Sequence, residues 1–263
     1  MKRIHLFEFE DFSWFPDSIR KGITDYLQFL ANTGNLYQPI IPIIKKGIAK
    51  SNSGNIIDVC SGGGGGIKKI SQYLENENIK SKIILTDKYP NIAAFKKSKS
   101  ESDGKIEFIE SSVDAMAIPK HLAGFRTQFV SFHHFKPEQA QKILEDAAGK
   151  KQPIGIFEYT EKTPLNFIFC LFAPLLIMLV TPFIKPISFR KIFFTYVVPA
   201  IPICTMWDGI VSILRTYSIK ELKEMTRKVD DPEYHWEIGR VHAGGSIHVL
   251  YLFGYPAEER VAA

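Results

Sequence analysis

Between Lys162 and Trp207 the chain contains no aspartate or glutamate, and that gap is the sharpest of several absences. Cysteine is scarce: Cys60, Cys170 and Cys204 are the only three in 263 residues. Their wide, unrelated spacing supplies neither a metal-ligand pattern nor a disulfide framework, which excludes a disulfide-stapled domain and fits a reducing compartment. Charge imbalance is small. A net +5, dispersed along the chain, does not make the basic patch that nucleic acid requires, so no nucleic-acid partner is expected. Met1 to Glu8 meets an acid too early for the apolar core of a signal peptide, and a cytoplasmic protein is expected. Two phosphate-binding fingerprints are missing as well. Counting from Gly62 and Gly64, the third glycine of a dinucleotide motif falls on Ile67, and Ile67-Lys68 follows Gly66 where a phosphate loop needs Lys and then Ser or Thr.

What is present is 45% hydrophobic and 23% charged, long enough for one large globular domain. Its organising stretch is Asn55 to Ile70: a short apolar run, Asp58, the five glycines Gly62 to Gly66, then a helical pattern. That order spells strand, tight turn and helix, with glycines that let a ligand lie against bare backbone. Five glycines alone would also suit a surface turn of an ordinary α/β domain. The acid-x-small-x-Gly-x-Gly pattern of Asp58, Cys60, Gly62 and Gly64 resembles the first motif of the class I S-adenosylmethionine-dependent methyltransferases, and the order of the later elements agrees with it.

Those elements begin before the glycines. Phe7 to Lys50 is aromatic-rich and predicts helices, one capped by Asp17 and closed by Gly34-Asn35, another from Pro39 to Ile48. After the glycines, strands are expected at Lys82–Asp87, Lys105–Glu110, Gln128–Phe135 and Pro153–Tyr159, with a closing pair at Tyr234–Gly239 and Ser246–Leu252 joined through Gly244-Gly245. The fold class is therefore α/β, a Rossmann-like doubly wound seven-stranded sheet with an antiparallel closing hairpin, amino-terminal helices and an apolar helical insertion after the fifth strand. The expected segments are a helical cap over 1–50, a methyltransferase-like domain over 51–160 and 218–257, and the insertion over 161–217.

The second strand ends in Asp87, where a carboxylate can accept both ribose hydroxyls of a nucleotide; an N-cap is the structural alternative. The resemblance implies S-adenosyl-L-methionine as cofactor. It also implies that Asp114 takes the adenine amino group with Val113 or Ala115 against the ring, and that Ser61, Lys88, Ser131 and Phe132 complete the pocket with Asp58, Cys60, Gly62, Gly64 and Asp87. His133 and His134 follow the fourth strand near the methyl group, and Glu158 and Tyr159 stand at the same edge. These four are the catalytic candidates, for proton transfer or acceptor orientation, beside a purely structural role. No metal is expected, because no third ligand has sensible spacing and neighbouring histidines in a strand face opposite ways.

The insertion holds a run of about 20 uncharged, mostly apolar residues from Leu165 to Ile184, long enough to span a bilayer. Pro174 and Pro182 are expected to interrupt it. Three readings stand open: a hairpin dipping into one leaflet with Lys185, Arg190 and Lys191 on anionic headgroups, a pair of true spans, and an apolar lid over a hydrophobic acceptor. Trp207 reads as an interface aromatic, and Asp208 with Arg215 as an ion pair or acceptor contact.

Together these features predict methyl transfer to a hydrophobic or lipid-like small acceptor by a cytoplasmic protein in peripheral contact with the inner face of the membrane. Phe132-His133-His134-Phe135 stands where amino-group methyltransferases of this fold usually carry Asn-Pro-Pro-Tyr, which leaves a hydroxyl, thiol or carbon acceptor. The rival is a non-catalytic membrane-associated module that keeps the methyltransferase fold.

Overall fold

The computed structural model describes residues 2–33, 36–245 and 247–257. In chain order its elements are helices α1 (Asp17–Thr33) and α2 (Ile41–Ala49), then β1 (Ile56–Val59), α3 (Ile67–Asn76), β2 (Ile83–Thr86), α4 (Ile92–Ser100) and β3 (Ile106–Phe108). Next come β4 (Phe125–Phe129), α5 (Pro137–Gly149) and β5 (Ile154–Glu158). Helices α6 (Pro164–Val180), α7 (Phe189–Ile192), α8 (Ala200–Arg215) and α9 (Ile219–Thr226) precede the hairpin β6 (Tyr234–Gly244) and β7 (Ile247–Pro256). The Gly34-Asn35 helix stop and Ser246 lie outside the described residues.

Contacts divide the chain into two units: residues up to 34 together with 160–218, and residues 35–159 together with 219 onward. The second unit holds a seven-stranded sheet of order β3-β2-β1-β4-β5-β7-β6. Strands β3 through β5 are parallel, and β7 runs antiparallel to both β5 and β6. Every residue of β1 and β5 is buried, which is why neither reads as apolar/polar alternation; each carries one carboxylate, Asp58 and Glu158, at or near its carboxyl end. Helix α2 presses close: a Cβ on Gly47 would lie 2.5 Å from the Phe125 ring. The closing hairpin is longer than its sequence pattern suggested, reaching Gly244 and Pro256.

The fourth strand differs from expectation. It starts at Phe125 and stops at Phe129, and the histidines follow in a 3-10 turn, Phe132–His134. Val130, with φ 47, turns the chain out of the sheet, a conformation rare for a β-branched residue. The early start was masked by Arg126, whose charge looks like surface but which is 1% exposed and bonded to Asp146 at 2.8 Å.

In the first unit α1 packs with the insertion, and the core joins Phe15, Ile19, Ile23 and Tyr26 to Ile177, Ile184 and Ile201. Gly22 is required there, since a Cβ would stand 2.3 Å from Ile201 Cδ1. Pro174 does not interrupt α6, contrary to the sequence expectation; a mid-helix proline forfeits one backbone bond, and the helix tolerates that loss. With the 3-10 turn that follows, Pro164–Phe183 is long and apolar enough to cross a membrane. The second apolar block bends by 73° between Phe189–Val197 and Ala200–Arg215.

The polar residues of this unit are largely structural, which corrects three expectations. Lys191 is not offered to headgroups: it is 6% exposed and pairs with Asp25 at 2.5 Å. Asp208 is buried and accepts the backbone amides of Phe9 (2.7 Å) and Glu10 (3.3 Å), while the Trp207 indole donates to the Phe7 carbonyl at 3.0 Å. Arg215 pairs with Glu8 (3.1 Å) and Asp11 (2.6 Å). Asp208, Trp207 and Arg215 thus strap the amino-terminal segment onto α8.

Candidate cofactor and active site

Strand β1 is flanked by β2 on one side and β4 on the other, so the strand order reverses at its carboxyl end, where doubly wound sheets open a crevice. The chain leaves β1 through a run of positive φ at Cys60 (59°), Gly62 (52°), Gly64 (86°) and Gly65 (37°). Gly62 and Gly65 would project a Cβ into open space, so glycine is needed there for conformation, and the backbone stays bare toward any ligand. Gly66 answers to packing: a Cβ would stand 1.9 Å from the ring of Tyr37.

Three carboxylates surround this turn. Asp58 is buried at the end of β1 and accepts the Thr127 hydroxyl at 2.8 Å. Burial pushes it up to about 7, against the hydrogen bonds of Ser61 and Thr127, with the charge of Asp87 adding to the rise. Asp87 accepts the Gly62 amide on one oxygen and the Tyr89 amide on the other, both at 2.8 Å. It therefore shapes the glycine turn, and each oxygen keeps a second lone pair for a ligand hydroxyl. Asp114 accepts from the Met116 amide and from Lys88, each at 2.9 Å. Partial burial raises its carboxyl, but those two donors outweigh that and hold it below the usual range. The Val113 amide donates to the Asp87 carbonyl at 2.9 Å, tying the two loops together, and Val113 and Ala115 are both buried.

Ser61 fastens the base of the turn: its hydroxyl donates to the Asp58 carbonyl at 2.9 Å and its amide to the Thr86 carbonyl at 3.0 Å. Gln128 approaches the Cys60 sulfur at 3.5 Å. Ser131 and Phe132 are buried after β4. Beyond them His133 donates its amide to Glu158 Oε1 at 3.1 Å, and its Nδ1 meets Glu158 Oε2 at 2.9 Å, with both residues buried. The rings of His133 and His134 stack with centroids 4.4 Å apart, which replaces the opposite-facing pair expected of a strand. Tyr159 gives its hydroxyl to the Leu36 carbonyl at 2.7 Å, and its ring and that of Phe129 each meet Tyr37 edge-on. Burial raises the Tyr159 phenol above its ordinary value.

The sheet unit thus brings together Asp58, Cys60, Ser61, Gly62, Gly64, Asp87, Lys88, Val113, Asp114, Ala115, Ser131 and Phe132 at the carboxyl ends of the strands, with His133 and His134 in the turn after β4, Glu158 the last residue of β5 and Tyr159 just beyond it. Trp207, Asp208, Lys185, Arg190 and Lys191 belong to the other unit. Thr127, Tyr37 and Tyr89 escaped sequence reasoning. Thr127 is recognisable only once β4 is known to lie beside β1, and Tyr37 carries no local signal.

No family model matches the sequence, and no curated protein matches it. Solved structures do share its fold. A protein of Nostoc punctiforme assigned as an O-methyltransferase superposes with a TM-score of 0.51 at 12% identity, over 91% of this chain and 61% of its own. NcsB1, an O-methyltransferase of neocarzinostatin biosynthesis solved with S-adenosylmethionine and 2-hydroxy-5-methyl naphthoic acid, gives 0.50 at 13% identity, over 90% and 58%. A Rhodobacter sphaeroides protein assigned as a zinc-dependent alcohol dehydrogenase gives 0.53 at 11% identity, over 91% and 98%. This chain therefore spans about three fifths of the two methyltransferases it resembles. At these identities the likeness speaks for architecture alone, and with the sheet order and closing hairpin described above the chain has the Rossmann-like fold of the class I S-adenosylmethionine-dependent methyltransferases.

Proposed function

We propose that the protein is an S-adenosylmethionine-dependent methyltransferase acting on a hydrophobic or lipid-like small acceptor at a membrane surface. The observation that carries this reading is the charge of the crevice: Asp58, Asp87 and Asp114 surround the bare glycine turn, and the lysine beside them, Lys88, is paired with Asp114. A ligand carrying a sulfonium and an ammonium is attracted there. Asp87 would hold the ribose hydroxyls, Asp114 the adenine amino group with Val113 and Ala115 against the ring, and the turn from Cys60 to Gly64 the amino-acid end.

The bound cofactor supplies an already electrophilic methyl carbon, so the chain has mainly to align a nucleophile and remove its proton. Glu158 holds His133 by both its amide and Nδ1, which fixes the orientation of the ring. His133 would then take, at Nε2, the proton of an acceptor hydroxyl held beside it. The hydrophobic acceptor and the membrane are supported by the apolar side chains that α6 leaves exposed.

Isothermal calorimetry with S-adenosylmethionine and S-adenosylhomocysteine tests the cofactor half, and absence of heat with both would return the chain to the non-catalytic module. Labelled methyl transfer into a lipid extract, read by mass, tests the acceptor half.

A further inference from the structure

The insertion unit presents an unusual surface. Ile168, Phe172, Leu175, Leu179 and Phe183 recur at intervals of three and four residues, and every one is exposed, Leu179 by 70%. That spacing puts them on one helical face. The opposite face of α6 is anchored by Ile177, which is 0% exposed in the core with Phe15 and with Ile19 and Ile23 of α1. α1 itself is amphipathic, with Asp17 and Lys21 exposed, so the hairpin of α6 and α8 has a polar helix along one flank and a bare apolar stripe on α6.

We propose that this stripe is the docking surface for an anionic bilayer leaflet, and that α6 lies in the plane of the leaflet rather than dipping or crossing; the inference rests on the membrane half of the proposed function. Charge selects the occupant. Residues 163–207 contain no acid, Lys185 and Arg190 are exposed just past the carboxyl end of α6, and the third cation, Lys191, is consumed internally by Asp25. Anionic headgroups complement that set, while a bilayer of zwitterionic lipid leaves the two cations unpaired. Orientation follows from the same residues. A hairpin entering tip first would carry Lys185 and Arg190 deepest, into hydrocarbon, and would bring the charged face of α1 along with the flank it covers. Lying flat sinks only the stripe and leaves both cations level with the headgroups.

Depth-dependent quenching by brominated lipids decides between these orientations. Ile168→Trp and Leu179→Trp place new indoles on one face about 16 Å apart along the helix axis. In phosphatidylglycerol-containing vesicles, after subtraction of the parent signal, both should be quenched at one shallow depth. A depth difference above roughly half that separation would overturn the flat placement. Flotation should recover the protein with these vesicles, less with pure phosphatidylcholine, and not after Leu175→Glu/Leu179→Glu, exposed positions whose substitution should leave circular dichroism unchanged. Equal recovery on both lipids would overturn the headgroup role. A stable dimer dissolved by Leu175→Glu, without flotation, would assign the stripe to a second copy instead. Calorimetry with S-adenosylmethionine in the absence of vesicles separates the two proposals: cofactor heat without flotation sinks only the docking surface, and flotation without cofactor heat sinks only the enzyme.

Discussion

Thr127 on β4 donates its hydroxyl to Asp58 on β1 across directly opposed positions of two parallel strands, at 2.8 Å. The bond satisfies one oxygen of a fully buried carboxylate, but burial still dominates, and Asp58 is pushed up to about 7 from an ordinary 3.8. Between those values the folded chain holds a proton that the unfolded chain has lost, so stability falls as pH rises from about 4 to about 7 and levels off above that. The span corresponds to about 4 kcal/mol as a ceiling. Asp58→Asn keeps an acceptor for Thr127 and removes the titration. Urea midpoints of the two proteins should coincide near pH 4 and separate by pH 8, with the wild type lower; parallel curves would show that Asp58 ionises ordinarily.

The same residue links cofactor binding to protons. With its carboxyl pushed up to about 7 by burial, Asp58 titrates in the neutral range, and a sulfonium in the crevice favours its carboxylate. S-adenosylmethionine binding should therefore release a fraction of a proton, and S-adenosylhomocysteine, lacking that charge, a smaller one. Calorimetry in buffers of different ionisation heat reads this directly. Equal release by both ligands would place the sulfonium away from Asp58.

Asp87 serves the turn before any ligand arrives, through the amides of Gly62 and Tyr89. Asp87→Ala should weaken the cofactor by roughly 1 to 3 kcal/mol, the cost of lost bonds to a charged acceptor. Asp87→Asn, which retains one acceptor oxygen, should lose less. Gly62→Val should do comparable harm through its φ of 52°, which disfavours any L side chain by about 1 to 2 kcal/mol. Unchanged affinity in all three variants would move the site elsewhere.

His133 and Glu158 should behave as one device. His133→Ala should lower kcat by roughly 10² to 10⁴ with cofactor affinity intact. Glu158→Gln, which keeps one acceptor oxygen for the His133 amide or Nδ1, should give a smaller loss of kcat, also with cofactor affinity intact. Equal small effects from both, with a lowered melting temperature, would mark the pair as packing.

What the sequence made legible was local. Asn55 to Ile70 could be read as strand, turn and helix because each signal lies within a few residues of the next. The residues that misled were charged groups whose partners are far along the chain. Arg126 concealed the start of β4 because Asp146, which neutralises it, comes 20 residues later. Val130 carries no local sign of a positive φ, so the sequence pattern runs the strand on through the histidines. Asp208 looked like a ligand contact because its donors, the amides of Phe9 and Glu10, lie 199 and 198 residues away in the chain. In each case the competing influence was tertiary, and only the fold supplied it.

Lys191 yields the last prediction, because its position in an apolar, acid-free stretch suggests the surface and its surroundings assign it to the interior. Its ammonium meets Asp25 at 2.5 Å and the Pro186 carbonyl at 2.9 Å, with the side chain 7% and that of Asp25 15% exposed. Removing one partner of such a pair leaves the other charge buried, at a cost of about 3 to 5 kcal/mol, whereas an apolar replacement of both is far milder. Lys191→Ala and Asp25→Ala should each lower the melting temperature strongly, and Lys191→Met/Asp25→Leu should recover most of the loss. Lys185→Ala and Arg190→Ala, at exposed positions, should leave melting unchanged. If Lys191→Ala melted like the wild type and instead reduced flotation on anionic vesicles, the lysine would be a headgroup contact after all, and the buried pair with Asp25 would have no energetic weight.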